Sequence, residues 1–349
     1  MDTTITITTI NKPVFLESLC ENIRKYQHRD VDIIIIGDQK TPDLKEYCQT
    51  VSEEYGTPIE YLDLIDQQRK LPQVLLDIFD YNTPDRTMLG GMLAYLRGAE
   101  RIIAIDDDNY VTENDFIGWH EVVGKKEKGV NTIHSDTGWF NVCKMLDANT
   151  SFYPRGYPFG QRHKIEHTTN INKNARVVAN QGMVLGDPDI DAVQRLVQPV
   201  NAIGMNHQYP PQFGLTKTWA PFNYQNTCII RELIPCYFRP KSGLRNADIW
   251  TAYIFQRLAE HMGDVITWGQ PLVKQIRNEH DLFEDLEVEL QNNKETDYFC
   301  KTLKQVELTE KTYFDSLIEL VDKVKIEYPM SKKFFEEYKE WITAVKQVM

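Results

Sequence analysis

Basic residues are scarce in this 349-residue sequence: Lys and Arg total 39 against 51 Asp and Glu, a net charge of -12. Nucleic-acid binding starts with clustered cations that neutralise phosphates, so this balance argues against such a partner. Any anionic substrate needs local help. Cysteine is sparse as well, and the six present (Cys20, Cys48, Cys143, Cys228, Cys236, Cys300) form no CxxC pair and no metal-ligand spacing. That pattern fits reduced thiols in a reducing compartment. No apolar run approaches the roughly 20 residues of a membrane span, and "MDTTITITTINKP" has neither the basic nor the long apolar region of a signal peptide. A cytoplasmic protein is expected, with peripheral association to a membrane or a membrane-bound partner left open. Glycine-rich phosphate loops are missing too: neither GxGxxG nor GxxxxGK followed by Ser or Thr occurs.

What is present reads as α/β. "TITITTI" alternates as a strand does, and "NKPVFLESLCENIRKY" then sets Phe15, Leu19 and Ile23 at helical spacing behind a Pro suited to a helix start. "VDIIIIGDQKTP" is a β-branched run stopped by Gly, followed by a helical "PDLKEYCQTVSEEYG" and a third strand, "IEYLDL". Such an order predicts a mostly parallel sheet flanked by helices, with ligands bound beyond the carboxyl ends of its strands. Asn11, Asp38 and Asp106 each fall just past such an end and are expected to converge on one crevice. A helix over 85–99 feeds the strand "ERIIAI". The chain then reads as loop-rich from about 131 to 245, helical after 245, and amphipathic-helical from 302 to the end.

The strand "RIIAI" ends in "DDDN". Three adjacent carboxylates repel one another and are costly to desolvate. In an extended segment Asp106 and Asp108 share one side and Asp107 takes the other, making a hard-oxygen site for Mn²⁺ or Mg²⁺ with water and substrate phosphate completing the shell. The competing reading is a solvated acidic turn. An EF-hand is ruled out, because Tyr110 stands at the third ligand position and Val111 at the required Gly. Farther along, "PLVKQIRNEHDLFEDLEVEL" offers His280 as a cation ligand and Arg277 or Lys274 as phosphate grips.

Asn223 and Asn226 in "WAPFNYQNTCIIRELIP" suit sugar hydroxyls or a turn that satisfies its own backbone. Asp248 in "RNADIW" is either a first-turn helix charge or a base for an acceptor hydroxyl. In "GDPDIDAVQRL" a calcium loop is broken by Ala192 and Gln198, which leaves Asp189 and Asp191 to cap the next helix or orient an arginine or sugar. Arg155 and Arg162 in "FYPRGYPFGQRH" suit phosphate or carboxylate recognition, or stacking on Tyr153 or Tyr157.

Six of these segments, "DDDN", "PRGYPF", "QGMVLGDPDIDA", "APFNYQNT", "ADIWTAYIFQRL" and "QIRNEHDLFEDL", occur in an order that resembles the STELLO glycosyltransferase-like family over roughly 100 to 290. More distantly they resemble the reversibly glycosylated polypeptides, which include UDP-arabinopyranose mutases. The resemblance implies a GT-A-type, Rossmann-like catalytic domain over 1–300, with a helical extension over 301–349. It also implies that Asp106, Asp107 and Asp108 bind metal and a nucleoside-diphosphate sugar, and it makes Asp248 and His280 candidates for the later acidic and metal-ligand positions.

On this view Thr9, Asn11 and Asp38 contact base and ribose with Arg86 nearby, and a UDP-sugar is the expected donor. In the mutase-like family an arginine of the RGYPF stretch carries the sugar, a role that would fall on Arg155. "QIRNEHD" follows the STELLO pattern and departs from the "WHSK" type of the mutases. STELLO proteins carry a membrane anchor not found in this sequence. A mutase and a catalytically silent sugar-nucleotide-binding scaffold remain alternatives to a metal-dependent glycosyltransferase. No motif specifies the acceptor or the oligomeric state.

Overall fold

The computed structural model describes residues 2–277 and 281–349. Its first 105 residues alternate strand and helix: β1 (Thr3–Thr8), α1 (Leu16–Lys25), β2 (Val31–Ile36), α2 (Lys45–Tyr55), β3 (Ile59–Leu62), α3 (Leu64–Lys70), α4 (Gln73–Leu76), α5 (Thr87–Leu96) and β4 (Arg101–Ile105). The expected βαβαβ start is therefore present. Ile33 to Ile36 are all buried, as a strand covered on both faces requires. Helix α1 turns Leu16, Leu19, Cys20 and Ile23 inward, with Glu17 in its first turn and Arg24 and Lys25 in its last, matching the helix dipole.

The second half contains β5 (Asn109–Val111), β6 (Lys126–Ser135), β7 (Leu146–Ala148), β8 (Thr168–Gly186), α6 (Ala192–Val197), β9 (Ala202–Met205), β10 (Phe213–Leu215), β11 (Asn226–Ile230), α7 (Ala247–Met262) and β12 (Val265–Gln275). Three helices follow: α8 (Leu282–Gln305), α9 (Tyr313–Lys323) and α10 (Pro329–Lys346). All strands join one sheet, ordered β3-β2-β1-β4-β11-β8-β6-β10-β12-β5, with β7 and β9 off this path and β8 also paired to β12.

The expectation of a mostly parallel sheet is corrected here. Pairings among β1 to β4 are parallel, but β11 runs antiparallel to both β4 and β8, β6 runs antiparallel to β8, and β12 runs antiparallel to β10 and β5. The sheet is mixed because the 131–245 stretch holds long-range strands where loops are expected. The 19-residue β8 escapes notice because its first half, "TTNINKN", is polar and largely exposed.

Direction still organises the molecule. Strand β8 is antiparallel to β11 and so runs with β4, and β12 is parallel to β8. The carboxyl ends of β1, β2, β4, β8 and β12 therefore share one edge of the sheet. The C-terminal helices pack on the segment between β11 and α7: Trp341 of α10 stacks on Phe238 with centroids 5.1 Å apart and donates its indole N–H to the Pro235 carbonyl at 2.8 Å, and Glu289 of α8 accepts from Arg245 at 2.8 Å. The expected division after residue 300 falls within α8.

Candidate active site

A cleft of about 770 Å³ opens at this edge, inside the roughly 300–1,000 Å³ of small-molecule sites. Each strand end contributes to it: Thr9 after β1, Asp38 after β2, Asp106, Asp107 and Asp108 after β4, Asp189 after β8, and Gln275 and Arg277 at the end of β12. Asn223 and Gln225 before β11 also line it, as do Arg239, Lys241, Leu244 and Arg245 from the loop before α7, and Asp248 from the first turn of α7.

The acidic triplet forms a turn, closed by the Asn109 N–H on the Asp106 carbonyl at 3.3 Å, and is not the extended segment expected. Its three carboxylates are nevertheless held differently. Asp107 accepts the Thr9 hydroxyl at 2.6 Å. Asp108 accepts the side-chain amides of Asn109 at 2.8 Å and Gln275 at 3.0 Å, one on each oxygen. Asp106 is open to the cleft yet walled by protein, and this loss of hydration, reinforced by the charge of Asp108, pushes its pKa up to about 7 against the pull of Arg239. Burial also raises Asp107, with the Thr9 hydrogen bond opposing it.

Strand register brings Gln275 to Asp108. Gln275 pairs with Asn109 across β12 and β5, and with Gly186 across β12 and β8. Gly186 has φ +79°, and a Cβ there would sit 2.7 Å from the Gln275 carbonyl oxygen, so only glycine lets the two strand ends approach this closely.

Across the cleft, Arg155 is clamped between two carboxylates. Its Nε and Nη2 donate to the two oxygens of Asp189, each at 2.8 Å, while Nη1 and Nη2 donate to Asp248 at 3.2 and 3.1 Å and Nη1 also reaches Asn246 at 3.4 Å. Burial opposes the guanidinium charge, but Asp189 and Asp248 outweigh it and hold the Arg155 pKa well above its usual value. Burial likewise opposes the charge of Asp189, yet Arg155 and Arg277 keep its carboxyl well below the usual range. The turn needs Gly156, which has φ +75° and whose added Cβ would meet Ile249 at 2.4 Å. The network continues through Asn223, which donates to Asp189 at 2.7 Å, and Gln225, which donates to Asn109 at 3.2 Å beside the acidic turn.

Charge balance sets what this cleft can bind. Eight aspartates and five basic side chains line it, and every one of those cations is already paired. Arg155 holds Asp189 and Asp248; Arg239 lies 3.4 Å from Asp85, Lys241 2.5 Å from Asp80, Arg245 2.8 Å from Asp285 and Glu289, and Arg277 3.5 Å from Asp187. An anionic ligand entering here meets surplus carboxylate.

The structure gathers Thr9, Asp38, Asp106, Asp107, Asp108, Arg155, Asn223, Asp248 and Arg277 on this one cleft. Other expected residues lie elsewhere. Asn11 is exposed, and its N–H caps Thr9 at 2.9 Å. Arg86 is buried behind the wall, 3.5 Å from Asp38 and bonded to Gln67. Asn226 is a core strand residue 3.3 Å from His120. Arg162 pairs with Asp191 and lies over the Tyr153 and Phe159 rings, the stacking alternative. Asp191 caps α6 through the Gln194 N–H, and Asp189 orients an arginine, as two of the options for them anticipate. His280 lies outside the described residues. Gln275 and Gln225 carry no mark in the sequence, whereas three cations within seven residues of an acidic chain are the signal for the basic residues of "FRPKSGLR".

A divalent cation fits Asp106 and Asp108 chemically. Their carboxylate oxygens are the hard donors that Mg²⁺ and Mn²⁺ take, while among the described residues no three His, Cys, Asp or Glu side chains gather to cage an ion.

No protein-family model matches the chain, and no curated protein matches it. Solved structures similar to it include S. aureus TarS, at TM-score 0.36 and 9% identity, covering all of this chain and 55% of that one, so this chain spans about half the length of that protein. TarS 1-349 in complex with UDP-GlcNAc gives 0.39 and 11%, covering all of this chain and 80% of that one. The mannosyltransferase PcManGT from Pyrobaculum calidifontis, in complex with GDP-Man and Mn²⁺, gives 0.37 and 8%, covering 99% and 73%. Likenesses this low assign neither family nor ligand to this chain.

Proposed function

We propose that this protein is a metal-dependent glycosyltransferase that uses a nucleoside-diphosphate sugar, with a UDP-sugar as the first donor to test. The observation that carries the reading is the charge balance of the cleft: a surplus of carboxylates beside cations that are all committed to partners. A diphosphate is bound there only when a cation comes with it. Mn²⁺ or Mg²⁺ held by Asp106 and Asp108 would supply charge compensation for the departing nucleoside diphosphate. The rest falls to the chain itself. Thr9 fixes Asp107 and thereby the turn, Asp38 and the start of the 80–87 segment form the nucleoside end of the cleft, and Arg155 holds Asp248 facing the cleft, where its carboxylate receives an acceptor hydroxyl.

This reading is preferred over a mutase because Arg155 has all its N–H groups engaged with Asp189, Asp248 and Asn246 and is held as a cation. A nucleophilic guanidine has to give up those bonds and a proton. The sequence resemblance to STELLO-like proteins agrees with transfer to an acceptor. No helix among the described residues is long and apolar enough to cross a membrane.

The test is turnover of a panel of nucleotide sugars by wild type and Asp108→Ala. Two unit charges about 4 Å apart interact by roughly 4 kcal/mol at an effective dielectric near 20, so Asp108→Ala is expected to lose about a thousandfold in rate while its circular dichroism stays unchanged. Full turnover by the folded variant, or a sugar adduct on Arg155 by mass spectrometry, would count against the proposal.

A further inference from the structure

Leu244 holds a backbone conformation that its own side chain opposes. Its φ of 48° and ψ of -133° lie where glycine sits without strain, as at the first central position of a type II′ turn, and where a Cβ crowds the backbone. Close packing could offset that strain for a buried leucine. Leu244, however, is 45% exposed and lines the cleft.

A strained residue persists only where its surroundings over-determine it, and such residues gather at ligand sites. Here both flanks are pinned by the C-terminal helices. The Ser242 N–H and hydroxyl donate to Glu337 of α10 at 3.0 and 3.1 Å, the Gly243 carbonyl accepts the side-chain amide of Asn292 of α8 at 3.0 Å, and Arg245 Nε donates to Glu289 of α8 at 2.8 Å. Val288 stands one turn before Asn292 on the same face of α8, is 37% exposed, and lines the same cleft. Fixing residues 243 and 245 to α8 therefore brings Leu244 and Val288 to one stretch of cleft wall. That stretch adjoins Asp248: Asn246 accepts from the same Arg155 guanidinium that holds the Asp248 carboxylate.

Chemistry limits what can lie there. An anionic occupant meets the surplus carboxylates. A sugar ring laid on its C–H face is held best by an exposed aromatic ring, whose face is electron-rich, and Tyr224, the one aromatic among the described lining residues, is 4% exposed. Two exposed aliphatic side chains suit an aliphatic chain. We propose that Leu244 and Val288 form an acceptor subsite for an uncharged alcohol whose hydroxyl carries an aliphatic segment: the segment lies on the two side chains and the hydroxyl reaches Asp248. This rests on the glycosyltransferase reading above and adds to it the class of acceptor. In the transfer the alcohol oxygen bonds to the anomeric carbon, the bond from that carbon to the diphosphate oxygen breaks with its electron pair leaving on the nucleoside diphosphate, and the alcohol proton goes to Asp248.

The probes are glycerol, ethanol, 1-butanol and 1-hexanol, offered with a panel of UDP-sugars and Mn²⁺ to wild type, Leu244→Gly and Val288→Ala, with glycoside formation followed by mass spectrometry. For wild type, kcat/KM for the alcohol is expected to rise about two- to fourfold per added CH₂ group, with glycerol near ethanol. Leu244→Gly is expected to flatten that rise while its urea midpoint stays at or above that of wild type, because relief of strain offsets the lost contacts. Val288→Ala, which keeps the helix, is expected to flatten the rise in part. A rise that Leu244→Gly leaves intact, no dependence on chain length in wild type, or donor hydrolysis without transfer to the alkanols overturns the subsite and leaves the glycosyltransferase reading standing. So does a urea midpoint of Leu244→Gly clearly below wild type, which would make the leucine a packing residue. A donor panel neither hydrolysed nor transferred by wild type overturns both.

Discussion

The two walls of the cleft hold their polar groups by different means. On the wall built from residues 3–105, Asp38 accepts backbone N–H groups of Gln39 and Asn82 at 2.7 and 2.6 Å, with Arg86 at 3.5 Å behind it. On the wall built from residues 155–277, side chains hold side chains over long sequence separations: Arg155 with Asp189 and Asp248, Asn223 with Asp189, Gln225 with Asn109, Gln275 with Asp108. The first wall comes from local alternation of strand and helix. The second is a low-dielectric polar network in which each member positions the next, so one substitution there disturbs several residues.

That difference can be broken most forcefully at Arg155. Arg155→Ala takes from buried Asp248 and Asp189 their shared hydrogen-bonded cation, leaving Asp189 only Arg277 at 3.8 Å, and is expected to cost about 3–5 kcal/mol, read as a lower midpoint in urea. Arg155→Lys keeps the charge but loses the fork on Asp189, and an intermediate midpoint would sharpen the assignment to geometry as well as charge. A loss under 1 kcal/mol in the alanine variant would mean that the clamp contributes little.

Gly186→Ala probes the strand ends that carry Gln275. The positive φ and the approach to the Gln275 carbonyl predict a cost of about 1–3 kcal/mol, again from the urea midpoint. The same substitution at Gly56, where φ is +74° but nothing lies within 4 Å of an added Cβ, isolates the backbone part. A smaller loss there is expected.

Acid titration distinguishes two carboxylates of opposite sign. Asp189 has a lowered pKa in the folded protein, so its contribution to stability is present above the unfolded value near 3.9 and is lost as pH falls through the folded value. Asp106 is raised to about 7, so without metal its effect runs the other way, and stability declines as pH rises from roughly 4 toward 7. Asp106→Asn is therefore expected to raise the melting temperature of the metal-free protein at pH 8 and to have little effect at pH 4. Equal effects at the two pH values would contradict the assignment.

The smallest effect is expected at the cleft rim. Lys241 and Asp80 form an ion pair at 2.5 Å, but their side chains are 47% and 67% exposed, and water screens such pairs to about 0–1 kcal/mol. Lys241→Ala should leave the urea midpoint nearly unmoved.

The same contrast explains what was legible in the sequence. Ile33 to Ile36 and the helices beside them are read from nearest neighbours, and so is the acidic end of β4. Strand β8 is not, because its pairings with β6, β11 and β12 join residues 33 to 89 apart and half of it is polar and exposed. Asp189 could be seen as a residue that orients an arginine, but which arginine depends on the loop before β8 folding back on the turn after it, where the Arg155 N–H meets the Asp189 carbonyl at 2.9 Å. Gln275 carries no chemical signature of its own, since a lone glutamine at a strand end matters only once register sets it against Asp108. Arg162 and Asn226 mark the opposite error: residue types suited to ligands, used here for stacking and for the core.

The most direct test of the central claim is the melting temperature with UDP, GDP or CDP in the presence and absence of Mn²⁺. A ligand at a hundred times its Kd stabilises by about 2.7 kcal/mol, a rise of several degrees. The expected result is that rise with a nucleotide and Mn²⁺ together and none with nucleotide alone. An equal rise with nucleotide in the presence of a chelator, or no rise under any combination, would contradict a cleft whose surplus carboxylates admit a diphosphate only with its cation.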